Sequence, residues 1–289
     1  DFGLLDGYDM LVGNPFHYRD VLTEGELEEV FRTVPRRELY ARTGLQFLRF
    51  NTLIQLHAVR RKFPLLLERA KTLLLAPDLL NFLLSGVKSA EFSMVSTTQM
   101  YNLQQKNWDR ELLHRLDIRS DILADIISSG TLLGPLLPEV AEETGLCCDV
   151  ISVCGHDTGS AFLAVPIRRD ERSAILSCGT WSLLGVELAS PLATDAAYEI
   201  EYTNEGGYGG TTRFLKNIMG LWIYQEVKRE YERREGEIGY RELDRMILDA
   251  PPFAAFIDPD DDTFMSPGRM IEKVQQYCSA TGQTAPETL

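Results

Sequence analysis

The chain has 289 residues, enough for two domains, and its 44% hydrophobic and 25% charged residues exclude general disorder. A formal net charge of −14 disfavours nucleic-acid backbones and anionic lipid surfaces as partners. Five cysteines without a CxxC pair, and apolar runs too short to span a bilayer, predict a cytoplasmic protein without a disulfide framework.

In the first half of the chain, short strands and turns over residues 1–20 precede a series of helices. Thr23 and Glu26 have the spacing of a capping box at the first helix. Gly86 is placed to end the third. The predicted helices cover residues 23–32, a segment from Asn51, residues 77–84 and residues 108–129.

In the second half, a composition shift at residues 134–149 predicts a domain boundary, giving domains of residues 1–148 and 149–289. The β-branched run of residues 149–154 predicts a buried strand. The elements predicted around and after it are a short helix over residues 138–144, a helical turn over residues 161–165, two strands within residues 174–188 and a long helix over residues 216–234.

The strongest candidate for chemistry is Gly155-His156-Asp157-Thr158, which follows the predicted strand and precedes a helix. Ligands bind at the carboxyl ends of strands in open α/β sheets. A carboxylate there can accept a proton from a hydroxyl that attacks a phosphate. Pattern alone favours a simpler interpretation, in which Asp157 caps the helix and His156 is structural.

Two glycine-containing segments are further candidates. The turn at Gly179-Thr180 can bring backbone N–H groups to a phosphate, although an ordinary hairpin with a buried Trp181 explains it equally well. The segment over residues 204–210 permits unusual backbone geometry or is a flexible loop. No metal site is predicted, because the acidic run at residues 258–262 lacks EF-hand spacing and no Cys/His cluster has ligand spacing.

Several segments share one resemblance that runs in order along nearly the whole chain. Two of them are specific, namely Asn204-Glu205-Gly206-Gly207 and Lys216-Asn217-Ile218-Met219-Gly220-Leu221-Trp222. The others are residues 1–6, 13–15, 18–20, 46–48, 50–53, 77–78, 96–99, 156–158 and 177–182. Together they resemble the rhamnulokinase group of the FGGY carbohydrate kinase family.

The resemblance implies an α/β fold of two domains with an actin-like, ribonuclease-H-like core, incomplete at both termini. Residues 1–148 would be the remainder of the N-terminal sugar-binding domain, and residues 149–289 the first part of the C-terminal nucleotide-binding domain. The implied reaction transfers the γ-phosphate of ATP, with Mg²⁺, to the 1-hydroxyl of L-rhamnulose in rhamnose catabolism. Alternatives are another FGGY ketose kinase, acting on L-fuculose, and a non-catalytic sugar-binding fragment.

The resemblance also assigns roles to residues. Asp157 would be the catalytic base, which reverses the preference for a cap, and His156, Asp157, Thr158 and Asn217 would contact the sugar. Thr180 and Gln225 would contact ATP. The family's magnesium-associated Asp would precede Asp1, so no metal ligand is expected here. A ketose and ATP are the expected partners, with self-association possible and no nucleic acid or membrane.

The sequence departs from the family pattern after Tyr18-Arg19-Asp20. Members of the family continue with Ser-Arg-Thr, whereas this chain continues with Val21-Leu22-Thr23. If the absent arginine supports the sugar site, the affinity or specificity for the sugar would differ.

Overall fold

The computed structural model describes residues 1–167 and 173–287. Residues 168–172 and 288–289, which belong to the predicted second domain, lie outside the described residues. The strands are β1 Phe2–Leu5, β2 Thr72–Leu75, β3 Ala90–Glu91, β4 Tyr101–Asn102, β5 Asn107–Trp108, β6 Ile126–Ile127, β7 Leu132–Pro135, β8 Asp149–Ile151, β9 Ile175–Cys178, β10 Trp181–Leu188, β11 Thr203–Gly206 and β12 Thr212–Met219.

α-Helices make up most of the remaining regular structure. They are α1 Glu26–Thr33, α2 Arg36–Thr43, α3 Thr52–Lys62, α4 Pro64–Arg69, α5 Ala76–Ser85, α6 Phe92–Val95, α7 Arg110–Arg115, α8 Pro138–Thr144, α9 Asp157–Ala164, α10 Asp195–Glu199, α11 Trp222–Glu235, α12 Tyr240–Asp249 and α13 Met270–Ala280. None of them, within the described ranges, is long and apolar enough to cross a bilayer.

The chain divides into two compact units. The first comprises Asp1–Ile175 and Gly185–Lys216, and the second comprises Leu176–Leu184 and Asn217–Leu289. A four-stranded sheet has the order β11-β12-β10-β9, and the division between the units falls within its strands. The mixture of helices and strands is the α/β architecture that the sequence predicts.

The first unit is built around one large apolar core. All four residues of β1 are buried, and β1 pairs antiparallel with β2, so that Phe2 lies opposite Leu75. Helix α3 is buried along most of its length, with Leu53, Ile54 and Leu56 fully inaccessible. Burial of such side chains is the main source of stability in a unit of this size.

The second unit holds its helices together through polar groups as well as apolar ones. The indole N–H of Trp222 donates to the carbonyl of Phe264 at 3.0 Å. The carboxylates of Glu226 and Glu230, both buried in α11, accept the backbone N–H groups of Gly268 and Ile271. The N-terminal end of α13 is therefore tied to α11.

Several predicted elements are confirmed with small changes in their ends. Helix α3 begins at Thr52, helix α5 ends before Gly86, and helix α8 ends before Gly145. Both glycines have the positive φ that only glycine adopts without strain. The two strands predicted within residues 174–188 are β9 and β10.

Two elements predicted in the first unit are present but shorter than predicted. The helix predicted over residues 108–129 ends at Arg115, because Asp117 adopts a left-handed backbone that a helix cannot continue through. The strand predicted over residues 149–154 covers only β8, and only its Val150 is buried. β8 pairs with β7 in a two-stranded sheet, which leaves most of its side chains exposed.

The helix predicted from residue 216 is wrong at its start. The segment from Thr212 to Met219 is the strand β12, hydrogen-bonded between β11 and β10. Helix α11 begins only at Trp222. A central strand gains backbone hydrogen bonds on both sides, and these outweigh the local helical pattern.

Candidate functional site

The segment Gly155-His156-Asp157-Thr158 forms the entry to α9. His156 is the N-cap, with an extended backbone, and Asp157 is the first helical residue. The capping interpretation of Asp157 is therefore wrong. Its Oδ1 accepts hydrogen bonds from the N–H of Thr158 at 2.6 Å and the hydroxyl of Thr158 at 3.3 Å. The Asp157 side chain is 97% exposed, so the carboxylate is free to meet an incoming hydroxyl.

A buried glutamate accepts hydrogen bonds that fix this entry segment. Glu91 is 1% exposed, and its Oε2 accepts the N–H of Gly155 at 3.0 Å. The hydroxyl of Ser93 donates to Glu91 and accepts the N–H of His156 at 3.2 Å. Ser129 also donates its hydroxyl to Glu91. Because a carboxylate can accept several hydrogen bonds at once, Glu91 fixes the backbone that leads to Asp157.

A second carboxyl group lies next to Glu91. Asp78 is fully buried, and its Oδ1 accepts the backbone N–H of Glu91 at 3.0 Å. Burial is the main cause that raises the pKa of Asp78 to about 7; the hydrogen bond from the Glu91 N–H lowers the pKa and the charge of Glu91 adds a smaller increase. Asp78 therefore binds a proton far more readily than an exposed aspartate does.

His156 lies against a buried ion pair. The guanidinium of Arg213 has its Nη2 at 3.0 Å from His156 Nδ1 and its Nη1 at 3.2 Å from Glu205 Oε2. Glu205 Oε2 is also 3.2 Å from His156 Nδ1. On the other side of the ring, Nε2 is 3.7 Å from Asp157 Oδ1, which is too long for a hydrogen bond. The imidazole thus lies between a buried ion pair and the exposed carboxylate.

The glycine-rich segment that supplies Glu205 begins as an ordered strand and ends in a turn. Residues 204–206 belong to β11 and are buried, and only the turn Tyr208–Gly210 is exposed. The N–H of Gly206 donates to the Ser96 hydroxyl at 2.6 Å. A Cβ at Gly206 would lie 2.6 Å from the ring of Phe92, which explains why glycine stands there. The flexible-loop interpretation is wrong for the strand portion.

The Gly179-Thr180 turn belongs to the second unit. The carbonyl of Thr180 accepts the N–H groups of Gly220 and Trp222, each at 3.2 Å, and the carbonyl of Gly179 accepts that of Leu221 at 2.9 Å. These bonds tie the β9–β10 turn to the start of α11. Thr180 is exposed, and Trp181 is half-buried rather than buried as the hairpin interpretation expected.

The structure brings some of the predicted site residues together. His156, Asp157 and Thr158 are consecutive in the first unit, whereas Thr180, Asn217 and Gln225 belong to the second. Asn217 lies in β12 and Gln225 in α11, so the two do not share the long helix predicted over residues 216–234. Among residues 1–167 and 173–287, no group of three or more His, Cys, Asp or Glu side chains is placed to hold a metal ion.

Sequence reasoning missed Glu91, Ser93 and Arg213. One signal for Arg213 was present, because it lies directly opposite Glu205 in the β11–β12 pair and opposite charges pair well across strands. No comparable signal marks Glu91 or Ser93, whose role depends on a contact with residues about sixty positions away.

Sequence comparison decides the family. The profile of the FGGY family of carbohydrate kinases matches with its N-terminal domain over residues 1–164 and with its C-terminal domain over residues 174–289. The chain belongs to the FGGY family of carbohydrate kinases. The family profiles meet between residues 164 and 174, and the boundary at residues 148/149 stays a prediction.

Individual relatives within the FGGY family are rhamnulokinases. The chain is 43% identical over 288 residues to the rhamnulokinase of Oceanobacillus iheyensis and 37% identical over 289 residues to that of Bacillus subtilis. These matches cover 100% of this chain but 60% and 58% of the two relatives. The chain thus spans about 60% of the length of the curated relatives that it matches.

Solved structures of FGGY kinases show the fold. A ligand-bound xylulose kinase from Lactobacillus acidophilus matches with a TM-score of 0.69 and 17% identity, covering 86% of this chain and 50% of that one. A glycerol kinase from Plasmodium falciparum with ADP matches with a TM-score of 0.68 and 14% identity, covering 89% and 54%. The two-domain, actin-like fold of FGGY sugar kinases, predicted from the sequence, is confirmed.

Proposed function

We propose that the chain is part of an ATP-dependent kinase that converts L-rhamnulose to L-rhamnulose 1-phosphate in rhamnose catabolism. The observation that carries the proposal is the exposed carboxylate of Asp157, held on a backbone that Glu91 and Ser93 fix from below. Matches to rhamnulokinases that cover 100% of this chain, at 37% to 43% identity, support the choice of sugar. An enzyme that uses ATP in sugar catabolism would work in the cytoplasm.

Asp157 acts as the general base in this proposal. Its carboxylate accepts the proton of the sugar 1-hydroxyl, and the hydroxyl oxygen forms a bond to the γ-phosphorus of ATP. The bond between that phosphorus and the β–γ bridging oxygen breaks, and ADP leaves with its electron pair. A general base of this kind contributes typically about 10² to 10⁴ in rate.

The other predicted residues would bind and orient the two substrates. His156, Thr158 and Asn217 would contact the sugar, and Thr180 and Gln225 would contact ATP. The turn at Gly179 and Thr180 supports this role, because its hydrogen bonds to residues 220–222 make it rigid. Rigid turns with exposed polar groups suit phosphate recognition.

Mg²⁺ accompanies ATP in reactions of this type and neutralises charge on the phosphates. The described residues offer no cluster of three ligands for it. A magnesium ion held mainly by phosphate oxygens needs only one or two protein carboxylates. No step of the proposed reaction is assigned to the ion.

The direct test is ketose-dependent ADP release by the full-length protein, with ATP, Mg²⁺ and either L-rhamnulose or L-fuculose. We expect release with L-rhamnulose and a much smaller rate with L-fuculose. A preference for L-fuculose would move the assignment to another FGGY ketose kinase. Sugar binding without ADP release from either ketose would leave only the non-catalytic alternative.

A further inference from the structure

The surroundings of His156 determine more than its position. The Arg213 side chain is fully buried, and Glu205 next to it is 5% exposed. The Nε of Arg213 donates to the carbonyl of Gly206 at 3.0 Å, and its Nη1 faces Glu205. Nε is thus held by a hydrogen bond and Nη1 lies in charge contact with Glu205, while the third nitrogen, Nη2, is directed at the His156 ring.

Hydrogen-bond chemistry restricts the proton on that ring. A guanidinium has five N–H donors, accepts no hydrogen bond and stays protonated in proteins. The 3.0 Å contact between Arg213 Nη2 and His156 Nδ1 therefore requires Nδ1 to be the acceptor. A neutral imidazole that accepts at Nδ1 carries its proton at Nε2.

The competing arrangement places the proton on Nδ1, from where it would donate to Glu205 Oε2 at 3.2 Å. In that arrangement, Nη2 of the buried Arg213 would face an N–H group and lose its acceptor. A buried donor without an acceptor costs more than a typical hydrogen bond contributes. Glu205 already has the positive charge of Arg213 at 3.2 Å, so it gains less from a histidine proton.

We propose that Arg213, braced by Glu205, holds His156 in the neutral tautomer with its proton on Nε2, so that His156 donates a hydrogen bond to an oxygen of the sugar beside Asp157. Arg213 and Glu205 are then positioning residues that act through His156. The inference deepens the proposed function and rests on it for the identity of the ligand.

The geometry suits a polyol. Nε2 lies 3.7 Å from Asp157 Oδ1, so a donor and an acceptor stand side by side next to the exposed carboxylate. One sugar hydroxyl can donate to Asp157, while a neighbouring oxygen of the same sugar accepts from Nε2. The opposite tautomer would present an acceptor beside a carboxylate, and the neighbouring sugar oxygen would lose its donor.

Nitrogen NMR of the full-length protein labelled with ¹⁵N-histidine tests the tautomer without any need for activity. A His156→Gln variant identifies the His156 signals by difference. We expect an unprotonated Nδ1 and a protonated Nε2. A protonated Nδ1 in the wild-type protein would overturn the proposal.

A paired variant tests whether Arg213 is responsible. In Arg213→Met with Glu205→Gln, both charges disappear together, and we expect the single tautomer to give way to a mixture. An unchanged spectrum would refute the role of Arg213. If the double variant does not fold, Glu205→Gln alone is the test. In that variant Arg213 still donates to His156 Nδ1, so the proton should remain on Nε2. A shift of the proton to Nδ1 in that variant would contradict the proposal.

Kinetics of two substitutions at His156 test the function of the donor. The amide nitrogen of glutamine can reach the position of Nε2, whereas that of asparagine lies near the position of Nδ1. We expect His156→Gln to keep KM for the sugar within a few-fold of wild type and His156→Asn to raise it at least tenfold. KM for ATP should change in neither. A lower KM for the sugar in His156→Asn than in His156→Gln would overturn the donor role. A wild-type protein without ketose-dependent ADP release would count against the proposed function, but it would not affect the NMR result.

Discussion

Asp157 and Asp78 are aspartates of neighbouring segments with opposite surroundings. Asp157 is almost wholly exposed, and in the described part of the chain its carboxylate accepts hydrogen bonds from Thr158. Asp78, in contrast, is buried beside Glu91. Burial favours the protonated form of a carboxyl group. The exposed group is suited to accept a proton from a substrate, and the buried one to hold a proton within the fold.

The first prediction concerns Asp157. We expect Asp157→Asn in the full-length protein to lower kcat by about 10² to 10⁴ with little change in sugar affinity, because the amide cannot accept the hydroxyl proton. Turnover is measured by ADP release and sugar binding by calorimetry. Asp149→Asn, at an exposed position of β8, is the matched control and should leave both unchanged. Wild-type turnover in Asp157→Asn would remove Asp157 from the role of base.

The second prediction concerns the pH dependence of stability. The pKa of Asp78 is about 7 in the folded chain and near 3.8 when the residue is exposed, so between these values the folded state holds a proton that the unfolded state has lost. Stability from this group therefore falls as pH rises from about 4 to 7. Between pH 5 and 8 the loss is about 2–3 kcal/mol.

Urea denaturation at pH 5 and pH 8 measures this loss. Asp78→Asn removes the titrating group but keeps an oxygen that can accept the Glu91 N–H. We expect the variant to lose less stability than wild type over that interval, while Asp149→Asn should follow wild type. Equal losses in Asp78→Asn and wild type would show that Asp78 does not titrate there.

The residues that act through others were the hardest to predict. Asp157 and His156 form a short motif, and a resemblance between sequences carries such a motif directly. Nothing in the local sequence marks Glu91. Its importance comes from the hydrogen bonds that its buried carboxylate accepts from Gly155, Ser93 and Ser129. That arrangement depends on tertiary packing, which a linear pattern does not encode.

Elements were predictable where local chemistry decides their ends. Gly86 and Gly145 both end helices with a left-handed backbone, as expected from glycine's freedom there. The capping box of Thr23 and Glu26 was wrong, because the buried carboxylate of Glu26 turns instead to His57 and Arg61. Neighbouring strands also decide the secondary structure of β12. Its residues have a helical pattern, but they form a strand because β11 and β10 pair with it on both sides.

The third prediction tests the close pairing of β10 and β12. A Cβ at Gly185 would lie 2.3 Å from the Leu215 Cβ and 2.4 Å from the Phe214 carbonyl oxygen. Because one of these neighbours is backbone, the strands must separate, and we expect Gly185→Ala to lower the free energy of unfolding by about 1–3 kcal/mol. Urea denaturation measures the change. Gly7→Ala, whose nearest contact would be 3.9 Å, is the control, and equal stabilities of the two variants would contradict the prediction.

At the scale of the whole molecule, the fold followed from the resemblance rather than from composition. Length and charge allowed two domains but selected no architecture. The ordered series of motifs selected one, and the solved kinases confirm it. The extent of each unit was less predictable, because the first unit takes in Gly185–Lys216 from beyond the predicted boundary. That inclusion comes from packing between segments far apart in sequence.

The fourth prediction is that the 289-residue chain self-associates in a salt-dependent manner. Leu132 and Ile151 lie opposite each other in the β7–β8 pair and are 60% and 54% exposed. A paired apolar surface favours association, while the net charge of −14 opposes it. Because salt screens that repulsion, we expect sedimentation to show larger species as salt and protein concentration rise.

Substitutions test whether this surface, rather than exposed apolar side chains in general, causes the association. Leu132→Thr with Ile151→Thr should reduce the association, whereas Val21→Thr, at another exposed apolar position, should not. A sharp thermal transition that does not depend on protein concentration would contradict self-association in the wild-type chain.

The strand pair of residues 203–219 has a consequence for how the protein is made. Asn204 donates to the carbonyl of Gly44, Gly206 to the hydroxyl of Ser96, and Arg213 to the ring of His156. On a ribosome adding about 5–20 residues per second, the synthesis of Asn204 follows that of Gly44 by roughly 8–32 seconds. Until Arg213 has also been synthesised, the surface around His156 lacks its buried ion pair, and the carbonyl of Gly44 and the hydroxyl of Ser96 lack these partners.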